Sequence, residues 1–299
     1  MIQIIYKLLV LAVFCFSVHN IVSAQVKEVE VLWETQLDTS KVDITKSMYL
    51  DVDQNKIPGI VDEQPNFGLY KDNYFISGIS TNKKVNQYTA DAKFQISIRQ
   101  KLAKGVLPLN SILMLTYTQK SFWDIYQKSS PFADNNYNPG LAVVTPIISN
   151  NKLGGVGIMA FEHESNGRGD SLESRSWNYF VFTGTYFYNP CFTLYAKFWA
   201  GWIGSDNPDL LNYRGYGMIA INYRSINDRI WLTSIINPRK KFEGVNLQLE
   251  LSFKVNQKAN QYLFVQWYNG AGESLLEYNQ YTSMVRMGIC IKPPMRNLF

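Results

Sequence analysis

The chain has 299 residues, a hydrophobic fraction of 46% and a formal net charge of +5 at pH 7. A charge this mild gives no reason to expect a nucleic-acid partner, and three cysteines are too few for a disulfide scaffold. Aromatic residues make up 14% of the chain, which suits either a soluble sandwich or a barrel that exposes an apolar wall to lipid.

Residues 1–24 predict a secretory signal peptide. Lys7 gives a positive start, an apolar run follows over residues 8–18, and Val22-Ser23-Ala24 is a small-residue cleavage site. The apolar run is shorter than a transmembrane helix requires, and an uncleaved anchor is the alternative. No other stretch has the length and apolar character of a spanning helix, which excludes a helical membrane protein.

After the signal, residues 25–66 are polar and predict a loosely ordered N-terminal arm. From residue 67 to residue 299 the chain alternates runs of about ten residues with turn signals, which predicts strands. In residues 94–99, for example, Phe, Ile and Ile alternate with Gln, Ser and Arg. Twelve strands are predicted, over residues 67–80, 90–103, 111–122, 140–149, 155–165, 174–189, 191–204, 213–223, 229–236, 244–255, 260–269 and 282–291.

The connections between these strands alternate in length, at least over the first nine. Those after the second, fourth, sixth and eighth strands are short, whereas those after the first, third, fifth and seventh are longer and polar. Short turns at one end and long loops at the other are typical of outer-membrane barrels. The sequence therefore predicts an all-β protein, a twelve-stranded antiparallel transmembrane β-barrel, whose long loops face out of the cell. Cys191 and Cys290 are expected to be unpaired strand residues.

The only histidine beyond the predicted signal is His163. Ser165 follows it on the same face of a predicted strand, because alternate residues of a strand share a face. Asn178 lies on the next predicted strand. These three residues are candidates for a catalytic base, nucleophile and orienting group.

The alternation also predicts which face of the barrel these residues occupy. Phe161 is in phase with His163 and Ser165, whereas Glu162 and Glu164 occupy the opposite phase. Charged glutamates belong in the polar interior of a barrel, so the candidate residues should face lipid. Polar groups facing lipid are costly unless they hydrogen-bond to one another, and a Ser-His-Asn chain would satisfy them.

The loop over residues 166–174 is rich in carboxyl, hydroxyl and carbonyl oxygens. Such oxygens suit calcium, although the spacing is not that of an EF-hand. A solvated polar loop without a metal is the alternative.

Two segments carry a family resemblance: His-Glu-Ser-Asn-Gly-Arg over residues 163–168 and Ser-Arg-Ser-Trp-Asn over residues 174–178. They closely resemble the signature of bacterial outer-membrane phospholipase A. The resemblance extends from about residue 90 to the C-terminus and includes residues 93–97, 116–121, 129–132, 136–137, 206–209 and 272–276.

The resemblance implies a twelve-stranded barrel of the bacterial outer membrane that hydrolyses acyl esters of phospholipids, with phospholipase A1, phospholipase A2 and lysophospholipase activity. It implies that the active form is a calcium-bound homodimer with its active site toward the outer leaflet. By resemblance, Ser165 is the nucleophile, His163 the base and Asn178 the orienting residue. The backbone amide of Ser165 would then belong to the oxyanion hole.

The resemblance also implies the calcium ligands. The carbonyl of Arg168 and the hydroxyl of Ser174 would come from one subunit and Ser129 from the other. Asp206 resembles a residue of a second calcium site in the monomeric form, with Asp170 beside it. The chain departs from the family pattern by one inserted residue between Asp170 and Ser174.

Two alternatives to a phospholipase remain at this point. One is a non-catalytic outer-membrane barrel, porin-like or structural, and the other is a soluble secreted esterase. The last predicted strand also runs into Pro293-Pro294-Met295, which could alter how it closes the barrel.

Overall fold

The computed structural model describes residues 50–51, 65–104, 107–149, 152–169, 173–189, 191–256 and 260–293. The predicted signal peptide and most of the predicted arm lie outside these residues. The strands are β1 (Leu50–Asp51), β2 (Phe67–Leu69), β3 (Asn73–Ser80), β4 (Ala90–Lys104), β5 (Ile112–Trp123), β6 (Phe132–Ser149), β7 (Lys152–Ser165), β8 (Ser176–Phe187), β9 (Phe192–Ile203), β10 (Gly217–Arg224), β11 (Ile230–Pro238), β12 (Val245–Lys254), β13 (Gln261–Gly270) and β14 (Thr282–Ile291). A short helix, α1 (Leu210–Arg214), and two 3₁₀ turns, Pro108–Asn110 and Lys240–Phe242, lie between strands.

Strands β3 to β14 form one closed antiparallel barrel. Each pairs with its neighbour in the sequence, and β14 pairs with β3 from Met284↔Ser80 to Ile291↔Asn73. The predicted twelve-stranded antiparallel barrel is confirmed. The pairing of β14 with β3 extends to Ile291, the last residue of β14. Pro293 lies after this pairing ends, so it does not interrupt the closure of the barrel. Outside the barrel order, β2 pairs with β4, and Leu50–Asp51 pairs with Leu153 and Lys152 of β7.

Three features of the predicted strand pattern were wrong. The first predicted strand is interrupted at residues 70–72, which are all buried, and the amide of Lys71 donates to the side chain of Ser97 on β4 (3.2 Å) instead of to a backbone carbonyl. Strand β6 begins at Phe132 rather than residue 140, because its polar first half pairs with β5. Residue 213 lies in α1 and not in a strand.

Connections among the first nine barrel strands are sorted by length between the two ends of the barrel, as predicted, whereas residues 239–244 at the long-loop end form a connection as short as residues 255–260 at the other end. At the short-turn end they cover residues 105–111, 150–151, 188–191, 225–229 and 255–260, and at the long-loop end residues 81–89, 124–131, 166–175, 204–216, 239–244 and 271–281. Among the residues that the structure describes, no helix is long and apolar enough to cross a membrane. Cys191 and Cys290 are both buried and are not joined in a disulfide; Cys290 lies in β14, and Cys191 immediately precedes β9.

The two faces of the barrel differ in chemistry. Along β8, Phe180 and Phe182 are exposed by 46% and 51%, whereas their neighbours Trp177, Tyr179 and Val181 are buried. The exposed phase continues around the described strands as a wall of large apolar side chains. A soluble protein buries its apolar side chains and exposes its polar ones. The opposite arrangement found here is the one that a barrel in a lipid bilayer requires.

Several charged side chains in the interior are paired with one another. Arg286 of β14 bridges Asp91 of β4 (2.7 Å) and Glu273 of the 271–281 loop (2.7 Å). Lys93 of β4 donates to the same Glu273 (2.9 Å) and to Gln266 Oε1 (2.8 Å). Buried charges are tolerated only when paired and hydrogen-bonded in this way. The network ties the loop to the barrel wall.

Candidate active site

Strands β7 and β8 bring His163 and Asn178 directly opposite each other at the long-loop end. His163 Nδ1 lies 2.9 Å from Asn178 Oδ1. With the amide oxygen as acceptor, Nδ1 carries the proton and Nε2 is the unprotonated nitrogen. Both residues are half-buried, on the face that carries exposed Phe161 and Phe180. The predicted outward phase is therefore the one that the structure adopts.

Ser165 follows His163 by two residues at the end of β7 and lies on the same face, opposite Ser176 of β8 and Tyr137 of β6. Among the described contacts, none is a hydrogen bond between the Ser165 hydroxyl and the imidazole. The structure thus joins His163 to Asn178 and sets Ser165 beside them. Catalytic hydrogen bonds are often long in unliganded enzymes and tighten only with substrate.

The wall beside the site is aromatic. Trp202 of β9 lies opposite Asn178 and is 56% exposed. Its ring centroid lies 6.0 Å from that of Phe161 and 5.9 Å from that of Phe180, and those two rings are 5.4 Å apart. This aromatic cluster gives the lipid-facing side of the site an apolar floor.

The luminal side of the same two strands is held by cross-strand hydrogen bonds. Tyr179 Oη donates to Glu162 Oε2 (2.8 Å), and Trp177 Nε1 donates to Glu164 Oε2 (2.9 Å). Both carboxylates are also paired with cations, Glu162 with Lys197 (3.9 Å) and Glu164 with Arg214 (2.5 Å). The two glutamates that flank His163 are therefore buried, neutralised and directed away from it.

The predicted calcium ligands are brought together only in part. Ser174 Oγ donates to Asp206 Oδ2 (3.0 Å), so these two oxygens are neighbours. Arg168 pairs with Glu173, and its Nη2 donates to the carbonyl of Ala133 (2.8 Å). That contact joins the 166–175 loop to the start of β6.

Ser129 lies on the neighbouring 124–131 loop in the left-handed region, with φ 64°. Asp170 lies outside the described residues. Within the described part of the chain, no three His, Cys, Asp or Glu side chains converge on a point that a metal ion could occupy. The donors near Ser174 are instead hydroxyl, carboxylate and carbonyl oxygens, which fit a hard cation such as calcium.

Sequence reasoning missed the residues that connect the 204–216 loop to the site. Asn207 Oδ1 accepts the amide of Ser176 (3.0 Å), and Arg214 reaches Glu164. Sequence reasoning also missed Gly201 of β9, where a side chain would not fit because its Cβ would lie 2.3 Å from the carbonyl oxygen of Asn178. The charge of Glu164 at an interior strand position does indicate that a cation must lie close to it. The sequence does not indicate that this cation is Arg214.

The sequence profile of the phospholipase A1 family matches residues 62–291. The chain belongs to the phospholipase A1 family. Phospholipase A1 of Salmonella typhimurium is 34% identical over 222 residues, covering 71% of this chain and 74% of the relative. Two solved structures are similar to the whole barrel. Outer membrane phospholipase A from Escherichia coli has 28% identity and a TM-score of 0.68, covering 77% of this chain and all (100%) of that one.

The Salmonella typhi outer membrane phospholipase, a dimer with bound calcium, has 29% identity and a TM-score of 0.69, covering 79% of this chain and 96% of that one. The predicted resemblance and the predicted outer-membrane location are confirmed. The chain is an outer-membrane phospholipase, and neither a soluble secreted esterase nor a non-catalytic barrel.

Proposed function

We propose that this chain is a calcium-dependent outer-membrane phospholipase that hydrolyses acyl esters of phospholipids and lysophospholipids, with Ser165, His163 and Asn178 as its catalytic residues. The observation that carries the proposal is the 2.9 Å contact of His163 with Asn178 on the lipid-facing wall, with Ser165 on the same face. A site on that wall meets a lipid ester without extracting it into water.

Ser165 Oγ attacks the carbonyl carbon of the acyl ester while its proton passes to His163 Nε2. The ester C–O bond then breaks, and the imidazolium returns the proton to the departing lysolipid oxygen. The acyl group remains bonded to Ser165 Oγ. A water molecule, deprotonated by His163, attacks this acyl ester, and the fatty acid leaves as Ser165 recovers its proton.

Asn178 holds the imidazole in the tautomer that leaves Nε2 free to act as the base. A neutral amide does this without placing a carboxylate against lipid, where an ionised group is costly. It stabilises the imidazolium less than aspartate would. The backbone amide of Ser165 donates to the oxyanion, which forms on the outward side of β7.

Calcium would be held by the carbonyl of Arg168 and the hydroxyl of Ser174, with Ser129 supplied by a second subunit. Asp206, which accepts a hydrogen bond from Ser174, would belong to a calcium site of the monomer. When bound, calcium would supply the positive charge near the oxyanion that the neutral Asn178 does not provide.

The homodimer is supported by a chain of polar side chains on the outward side of β5 and β6, three of them half-buried and the fourth, Ser121, fully covered by its neighbours. Tyr117 Oη donates to Gln119 Oε1 (3.2 Å), Gln119 Nε2 to Ser121 Oγ (3.0 Å), and Ser121 Oγ to Asn135 Oδ1 (2.7 Å). Polar groups are expensive against lipid but suit a contact between subunits. This surface lies close to β7, so a second copy seated there would also cover the site.

The proposed function is tested by hydrolysis of phosphatidylcholine by detergent-refolded protein, with calcium and with a chelator. We expect fatty acid release with calcium, its loss with chelator and its return when calcium is restored. Ser174→Ala should raise the calcium concentration needed, whereas Ser225→Ala, in a turn at the short-turn end, should not. Undiminished hydrolysis in chelator would reject the calcium requirement.

A further inference from the structure

The 204–216 loop contacts the candidate site at three separate points. Asp206 accepts a hydrogen bond from Ser174 (3.0 Å) and Asn207 accepts one from the amide of Ser176 (3.0 Å). At the far end of the loop, Arg214 of α1 is paired with Glu164 of β7 (2.5 Å). One loop therefore contacts the calcium-ligand loop, the start of β8 and the end of β7.

The Arg214 contact is the buried one. The side chains of Arg214 and Glu164 are exposed by only 14% and 10%. The same Glu164 oxygen accepts from Trp177 Nε1 (2.9 Å), and the guanidinium lies 5.9 Å from the Trp177 ring centroid. Trp177 is in turn stacked on Tyr179, with centroids 3.7 Å apart.

Glu164 stands between His163 and Ser165 in the chain and points to the opposite side of the strand. On β8, Trp177 directly precedes Asn178 and likewise points to the luminal side, opposite to Asn178. The luminal contacts of Glu164 and Trp177 thus fix the segment of β7 that carries the base and nucleophile against the segment of β8 that carries the orienting amide.

We propose that Arg214 is a positioning residue for catalysis, acting through Glu164 and Trp177 to hold Ser165, His163 and Asn178 in register from inside the barrel. This role rests on the proposed phospholipase function. Without the guanidinium, Glu164 loses its ion-pair partner at a buried position, which is unfavourable, and must be protonated or turn toward other groups. Either change moves the backbone on which Ser165 and His163 stand. Small displacements of catalytic groups have large effects on rate.

Arg214→Met removes the charge with little change in side-chain length. We expect kcat to fall by about 10- to 100-fold, with KM changed by less than about threefold because the lipid-facing wall is untouched. Arg214→Lys should recover part of kcat. Glu164→Gln combined with Arg214→Met should be more active than Arg214→Met alone, because glutamine can still accept from Trp177 and no carboxylate is left without its guanidinium partner.

Lys292→Met is the matched control, since Lys292 and Asp72 form another buried ion pair (2.7 Å). It should lower thermal stability and leave kcat unchanged. A second readout does not require activity: selective ¹⁵N-histidine labelling, with the His163 signal assigned by its loss in His163→Asn. Arg214→Met should shift this signal and Lys292→Met should not.

An inactive wild type would reject the proposed function and with it the catalytic role of Arg214, while the shift of the His163 signal would still decide whether Arg214 holds the segment that carries His163 in place. The positioning role is wrong if Arg214→Met keeps kcat within twofold of wild type. It is equally wrong if the His163 signal does not move, or if Arg214→Met and Lys292→Met reduce kcat to the same extent.

Discussion

Ser165→Ala is expected to abolish phospholipid hydrolysis while leaving the barrel intact. The Ser165 side chain is the only nucleophile that the proposed mechanism offers next to His163, and its loss should reduce kcat by at least about 10³-fold. Ser165 is half-buried at the end of β7, on the lipid-facing side, so removing one oxygen leaves no cavity in the core. The measurement is fatty acid release from refolded protein, with heat-modifiable gel mobility as the check on folding.

The neighbouring substitutions should follow a defined order. His163→Ala should be about as damaging as Ser165→Ala, and combining the two should add little, because residues that act as a unit are not additive. Asn178→Ala should retain more activity than either, since the amide orients the base and transfers no proton. Ser176→Ala, on the strand position facing Ser165, is the control. Residual activity of Ser165→Ala above a tenth of wild type would place the nucleophile elsewhere.

The sequence alone was sufficient to predict the barrel and the face of its site. Alternation in β7 predicted that Glu162 and Glu164 point inward and His163 outward, and the burial of both glutamates agrees. That inference works because side chains alternate strictly along a strand, so one charged pair decides the phase for every other position.

What the sequence could not provide was the set of contacts between distant segments. Arg214 is 50 residues from Glu164, and nothing local relates them. Residues 70–72 turn inward because side chains such as Ser97 replace the missing strand contacts, which a period-two pattern does not encode. The polar start of β6 resembled a loop for a similar reason, since its partners on β5 are polar too.

The second large expected effect is a loss of stability when the interior charge network around Glu273 is broken. Glu273 is buried and bonded to both Lys93 and Arg286. Burial alone would raise the pKa of the Glu273 carboxyl, but the charges of Arg286 and Lys93 outweigh burial and lower that pKa to about 2. A carboxyl whose pKa is lower in the folded state contributes stability above its unfolded pKa and loses it as the pH falls toward the folded value.

Glu273→Ala is therefore expected to reduce the free energy of unfolding near pH 7 by about 3–5 kcal/mol, because it leaves two buried cations short of a partner. Between pH 4.5 and about 2, the interval set by the unfolded and folded pKa values of Glu273, stability of the wild type should fall with pH by about 1.4 kcal/mol per unit more than that of Glu273→Ala. Urea unfolding in lipid vesicles across this interval measures both. Glu277→Ala, a neighbouring residue that is exposed at the surface of the same loop, should change neither. Equal pH slopes for wild type and Glu273→Ala would show that the carboxyl is not held ionised by its partners.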